Sequence, residues 1–269
     1  MNIVVCIKQV PDTQKVQVDK ETGVLLREGI ESKMNPYDLF ALQTAAKIKE
    51  KTGAHVIAMT MGPPSAKEIL KEAFALGADE GVLLTDRKFA GADVLATSFT
   101  LAQGMDTLEN KPDLIICGKQ TTDGDTAQVG PAIAEHRKIP HVSWVTELVD
   151  INEKEITVKQ DLGHYITTAK MQYPCLITVE DGIFVPSLPS YRLIQKTKDH
   201  EIISRTFADL PVQDEKHYGL QGSPTQVERI FEPEGHDTVE WYEGSSKEIV
   251  DDIYQQLLHL KFIDEEEAI

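Results

Sequence analysis

Along the first 140 residues, short two-sided apolar runs alternate with stretches whose apolar residues recur every three or four positions. Ile3-Val4-Val5-Cys6-Ile7, Val56 to Met61, Val82 to Thr85 and Leu114 to Cys117 are strand-sized and rich in β-branched residues, as expected of strands buried on both faces. Between them, Asn35-Pro36 predicts a capping side chain followed by proline at the first helical position, with Leu39, Leu42 and Ala46 as the buried stripe up to Lys51. Ser65-Ala-Lys-Glu68 reads as a capping box, with Ile69, Leu70, Ala73 and Phe74 behind it and Gly77 as terminator. Strands alternating with helices imply a parallel sheet with helical crossovers on both of its faces.

Beyond Pro140 the period changes. Val142 to Val149, Glu155 to Val158 and Tyr165 to Ala169 predict a small antiparallel extension, and Pro174 to Val179 a buried strand. Phe184 to Ile194 carries two prolines and reads as an extended surface segment exposing Leu188 and Tyr191. It either anchors a partner or folds its apolar residues beneath itself. From Asp209 to Glu243 periodicity is lost, which predicts an arm lying across another surface. Ser245 to Glu248 then caps an amphipathic helix bearing Ile249, Val250, Ile253, Leu257 and Leu258. We divide the chain at 208: residues 1–208 form the α/β domain, and 209–269 form an arm and helix that pack on a second subunit.

Candidate chemistry concentrates after the fourth strand. Leu114 to Gly118 runs into a polar loop and then, from Val129, a small-residue helical pattern. Such a junction gathers main-chain N–H groups and the positive end of a helix dipole, which suits phosphate. Gln120 stands where a P-loop needs Ser or Thr, and no Gly-x-Gly-x-x-Gly follows the first strand. What remains is a longer loop with glycines at 118, 124 and 130 and polar side chains at Gln120, Thr121, Thr122, Thr126 and Gln128. An ordinary strand-to-helix turn has the same composition. Phe89-Ala-Gly-Ala-Asp93, at another strand exit, either closes over a flat ring or is a loop whose Asp93 caps the next helix.

Charge narrows the partners. With 27 Lys and Arg against 44 Asp and Glu in 269 residues, the net charge of −17 excludes a sequence-independent grip on nucleic acid or anionic membrane. A polyanionic cofactor can still bind if backbone amides hold it. Apolar content of 41% with 26% charged residues is that of a globular chain, and the apolar runs are too short to insert in a membrane. The first residues carry no secretory leader pattern, so a cytoplasmic location is expected. Cys6, Cys117 and Cys175 each lie in an apolar run and read as reduced core thiols, with no metal spacing among them.

Val5-Cys-Ile-Lys-Gln-Val10, Met34-Asn-Pro-Tyr37, Gly62-Pro63, Ala75-Leu-Gly-Ala-Asp79, Cys117-Gly-Lys-Gln120 and Asp123 to Gly130 stand in an order that resembles the β subunit of electron-transfer flavoproteins. The resemblance covers nearly the whole chain. It implies an adenine-nucleotide α-hydrolase-like α/β fold and a heterodimer with an α subunit carrying its own FAD. It also implies a β-subunit site for FAD, or alternatively structural AMP. Carried over, Cys6, Lys8, Asn35, Met61, Gly118, Gln120, Thr121, Thr122, Asp123, Gly124, Asp125, Thr126, Ala127, Gln128, Val129 and Gly130 surround the nucleotide, with one of the two aspartates on turn duty. Phe89, Gly91 and Asp93 and the 124–131 loop resemble the bifurcating branch, in which NADH is the substrate and electrons go to ferredoxin and, through the α-subunit FAD, to a partner flavin dehydrogenase of acyl-CoA or 2-hydroxy-acid type. No side chain is then needed as acid or base. Residues 182–196 correspond to the dehydrogenase-recognition segment, with Leu188, Tyr191 and Leu193 as contacts. A simple AMP-containing electron carrier and a stress-type adenine-nucleotide module are the alternatives.

Overall fold

The computed structural model describes residues 1–12, 32–189, 191–228 and 241–263. By its internal packing the chain divides into two units, Met1–Arg229 and Ile230–Ile269.

The first unit is built on β1 (Asn2–Cys6), whose alternate side chains face opposite layers. A two-residue-wide step carries the chain through β2 (Gln9–Pro11) and β3 (Ser32–Met34), a separate antiparallel pair that the hydrophobic pattern does not announce. Then follow α1 (Pro36–Thr52), β4 (His55–Met61), α2 (Lys67–Ala75), β5 (Glu80–Leu84), α3 (Val94–Asp106), β6 (Leu114–Gly118) and α4 (Val129–Arg137). Ile3 and Val5 pack with Val56 and Ala58 against Leu42, Ile48, Leu70 and Phe74 of α1 and α2. Val4 and Cys6 pack with Ile57 and Met59 against Leu101, Met105, Ile133 and Ala134 of α3 and α4. The sheet is therefore covered on both faces, which is why its strands read as continuous apolar runs.

The chain continues through β7 (His141–Ile151), β8 (Glu155–Asp161), β9 (Ile166–Gln172), β10 (Cys175–Val179), α5 (Tyr191–Thr197) and β11 (Ile202–Arg205). The nine-stranded sheet has the order β11-β5-β4-β1-β6-β10-β7-β8-β9. All neighbours are parallel except β7/β8 and β8/β9, so the antiparallel extension is a continuation of the main sheet. No described helix is long and apolar enough to cross a membrane.

Four expectations need correction. Asn35 precedes α1 but makes no capping bond, because its side chain is used elsewhere. Ser65 lies in a 3-10 turn, where its hydroxyl donates to Gln9 Oε1 at 3.1 Å, so α2 starts at Lys67 without a capping box. Tyr191 opens a short helix instead of continuing an extended segment. Residues 209–228 do not leave the body: Leu210, Tyr218 and Ser223 are buried, and Tyr218 sits among the rings of Phe89, Phe99 and Phe207. The second unit contains α6 (Ser246–His259), with the expected capping box between Ser245 and Glu248.

Candidate functional site

β1 pairs with β4 on one side and β6 on the other, so the connections leave it in opposite directions, the arrangement in which open α/β sheets hold ligands beyond the strand C-ends. Cys6 and Cys117 are register partners at that point, both buried and free, and the mutual hydrogen bond of their thiols together with burial pushes the Cys117 thiol up. Past Cys6, the Ile7 N–H donates to Met59 O at 2.9 Å and Lys8 O accepts from Asn35 N at 2.9 Å. These bonds bring the start of α1 and the end of β4, with Met61, to the same rim.

The loop from Lys119 to Gln128 forms the opposite rim and is tied to Asn35 and to the extension of β1. The Asn35 side-chain amide donates to Gln120 O at 2.8 Å, and Asn35 Oδ1 accepts from Thr122 N at 3.3 Å. Lys8 Nζ lies 2.7 Å from Asp123. Within the loop, Gln120 Nε2 donates to Asp125 Oδ1, and Asp125 N donates to Thr121 O at 2.9 Å, so Asp125 is the aspartate on turn duty. Asn35 thus organises the loop across 85 residues of sequence instead of capping its own helix.

Backbone strain sits where the sequence pattern does not place it. Within this loop the left-handed residues are Asp125 and Ala127, each at φ 53°, and neither Gly118, Gly124 nor Gly130 has positive φ. Such conformations cost about 1 kcal/mol each for non-glycine residues and cluster at functional loops. Ala127 at positive φ followed by right-handed Gln128 turns consecutive N–H groups to one side, immediately before α4. The N–H groups of Thr126, Ala127 and Gln128 and the side chains of Thr121, Thr126 and Gln128 have no partner among the described residues. The glycines serve close approach instead. A Cβ on Gly130 would stand 2.5 Å from Thr178 Cγ2, and one on Gly118 would stand 2.6 Å from Asp38 Oδ1. Val129 packs its side chain toward the α3/α4 core. Lys119, beside Gly118, is engaged by Glu180 at 2.8 Å, which raises its pKa, and lies over Trp144.

Asp38 is a site residue that sequence reading misses. It is the third residue of α1 and 4% exposed, and burial pushes its carboxyl up to about 7 against the lowering effects of the Lys8 N–H, Asn35, the Lys8 charge and Gly118. An acidic residue in a first helical turn reads as a dipole partner, and only the spacing Asn35-x-x-Asp38 beside a strand end hints at more.

Phe89, Gly91 and Asp93 lie beyond the end of β5, with β4 between β5 and β1. The Phe89 ring is 4% exposed and packs on Tyr218, so it is a core residue and not a lid over a flat ring. Asp93 caps α3 through Ala96 N and accepts from the N–H and hydroxyl of Thr225, which holds its carboxyl below the usual range. A Cβ on Gly91, which is at φ 72°, would stand 3.4 Å from Leu220 Cβ. The surface contacts expected at 182–196 are open: Leu188 is 92% and Tyr191 76% exposed, with Leu193 at 38%, while Ser187 N anchors the segment on Gln43 Oε1 at 2.8 Å. On α6, Val250, Ile253 and Leu257 expose one apolar side.

The family model for the electron transfer flavoprotein domain matches residues 22–210. The chain is 46% identical to an electron transfer flavoprotein subunit beta of Clostridium acetobutylicum over 85% of its length and 87% of that protein. It is 44% identical to the caffeyl-CoA reductase-Etf complex subunit CarD of Acetobacterium woodii, over 87% and 88%. It is 41% identical to protein FixA of Sinorhizobium fredii, over 87% and 84%. The chain belongs to the electron-transfer flavoprotein β-subunit family.

Proposed function

We propose that this member of the electron-transfer flavoprotein β-subunit family holds FAD by its adenosine diphosphate in the crevice between β1 and β6, and that its heterodimer oxidises NADH and bifurcates the electrons. The observation that carries the nucleotide site is the donor set of the 121–128 loop: unpaired main-chain N–H groups at 126–128 and the hydroxyls of Thr121 and Thr126, just before a helix N-terminus, with no basic cluster among the described residues. That set fits a diphosphate in a chain of charge −17, where fixed dipoles attract the ligand without a mobile counter-charge. Met61 stands at the strand ends where adenosine would lie, Asn35 is buried behind it and braces the loop, and Thr121, Thr126 and Gln128 offer the free side-chain donors and acceptors. Bound FAD supplies the chemistry of accepting a hydride and passing on single electrons; the chain contributes binding, orientation and exclusion of water.

The exposed elements offer surfaces for the partners that the family reading implies. The apolar side of α6 packs on the α subunit, which carries the second FAD. Leu188, Tyr191 and Leu193 meet the flavin dehydrogenase, and the remaining acceptor is ferredoxin. The name of the Acetobacterium woodii relative, a subunit of a caffeyl-CoA reductase complex, supports a dehydrogenase of the acyl-CoA type. The buried ring of Phe89 favours a second reading, in which AMP occupies the crevice and the pair is a simple electron carrier. Cofactor counting on the purified heterodimer separates the two: two FAD, with ferredoxin reduction by NADH only when the second acceptor is present, supports bifurcation. One FAD and one AMP, without NADH oxidation, supports the carrier.

A further inference from the structure

Binding and electron transfer as proposed make no use of Asp38, yet it is the only buried acidic side chain among the described residues. Its Oδ2 accepts the Lys8 N–H at 2.7 Å. The Gly118 N–H and the Asn35 amide face the same carboxylate. Its Oδ1 fills the space that any side chain at position 118 would need. One carboxylate therefore joins the ends of β1 and β6, the two strands that bound the crevice. Through Asn35 it also reaches Gln120 O and Thr122 N in the loop.

We propose that Asp38 is a positioning residue for the nucleotide: ionised, it holds both strand ends and the 119–128 loop in the retaining geometry, and protonation releases that hold. The inference rests on the reading of the crevice as the nucleotide site. Every group facing the carboxylate is a donor, so a carboxylate can accept from all of them. A carboxylic acid turns its own O–H toward a donor and loses the charge assistance of the rest. Burial brings the transition to about 7. The charged and titratable groups around it leave it without a dedicated cation. Lys8, extending from β1, is bound by Asp123 of the loop; Lys119, after β6, is bound by Glu180; Asp125 is tied to Gln120. Cys6 and Cys117 face each other, and Tyr37 is its neighbour on α1.

The test uses the heterodimer freed of its exchangeable nucleotide, with ADP-ribose as probe. That molecule carries the adenosine diphosphate of FAD with both phosphates esterified, so its own charge stays constant. Loss of one charge-assisted bond predicts that wild-type affinity falls about tenfold from about pH 8.5 to about pH 6. Asp38→Asn binds weakly at both and shows no such profile. Absence of ADP-ribose binding by wild type at either pH overturns the site reading itself. Binding with the same pH profile in Asp38→Asn overturns the positioning role alone. Should the variant fail to fold, amide exchange at Lys8 and Gly118 in the wild type decides: protection lost at the lower pH supports the role, and equal protection after correction for intrinsic rates overturns it.

Discussion

The Lys8 ammonium lies 2.7 Å from both carboxylate oxygens of Asp123, so the extension of β1 is joined to the tip of the loop after β6 across the mouth of the crevice. Exposed pairs of this kind are worth at most about 1 kcal/mol and are screened by salt, so the bridge can open without endangering the fold. Asp123→Asn removes a negative charge beside the diphosphate position and frees Lys8. Affinity for ADP-ribose should rise about threefold at low ionic strength, and the gain should vanish in high salt. Titration of both proteins at two salt concentrations checks this.

Gly130 is required by contact and not by conformation. Alanine there meets Thr178 Cγ2 at 2.5 Å and pushes the start of α4 off β10. Overpacking of this kind should cost about 1–3 kcal/mol and weaken nucleotide binding with it. Thr178→Ser removes the offending methyl and keeps the hydroxyl that accepts from Trp144 N at 3.0 Å. The double variant should therefore recover most of the stability lost in Gly130→Ala, as read from denaturant midpoints.

Phe89 distinguishes a core ring from a ligand-facing one. Its side chain packs on Tyr218 and within the α3/α4 core, so Phe89→Ala should lower stability by about 3–5 kcal/mol. Nucleotide content per folded molecule should stay unchanged. A variant with normal melting and altered flavin absorbance would return the ring to the site.

The sequence makes the central parallel strands legible because they are buried on two faces, and a run such as Ile3 to Ile7 admits few other readings, whereas the half-exposed edge strand β11 offers no such run. Side-chain destinations are less legible. Asn35 has the residue type, and Pro36 the position, of a helix cap, but its amide is drawn to Gln120 and Thr122 by a loop that comes beside it only in the folded sheet. Tyr218 lies in an aperiodic stretch, and its burial depends on a pocket assembled from Phe89, Phe99 and Phe207. The 118–130 loop is recognisable from its position after a buried strand. Its left-handed residues, Asp125 and Ala127, are not, because the nearby glycines absorb the expectation.

Asp38 sets stability against function. Burial raises its carboxyl from 3.8 to about 7, so between those values the folded chain keeps a proton that the unfolded chain has released. Its contribution therefore favours the folded state most below the unfolded value and is lost as pH rises toward about 7, a cost of about 4 kcal/mol in order of magnitude. Asp93, Glu155, Asp209 and Glu248 are lowered and act in the opposite sense, which masks the effect in any single melting curve. Comparison with Asp38→Asn isolates it. The variant should gain melting temperature over wild type at about pH 8, and that advantage should shrink toward pH 5 or so, where the wild-type carboxyl is neutral in the folded state. A difference that stays constant across the range would mean that ionisation of Asp38 is not what the fold resists. A gain that grows with pH, alongside weaker nucleotide binding by the same variant, would mark a buried charge retained at a cost in stability because it positions the crevice.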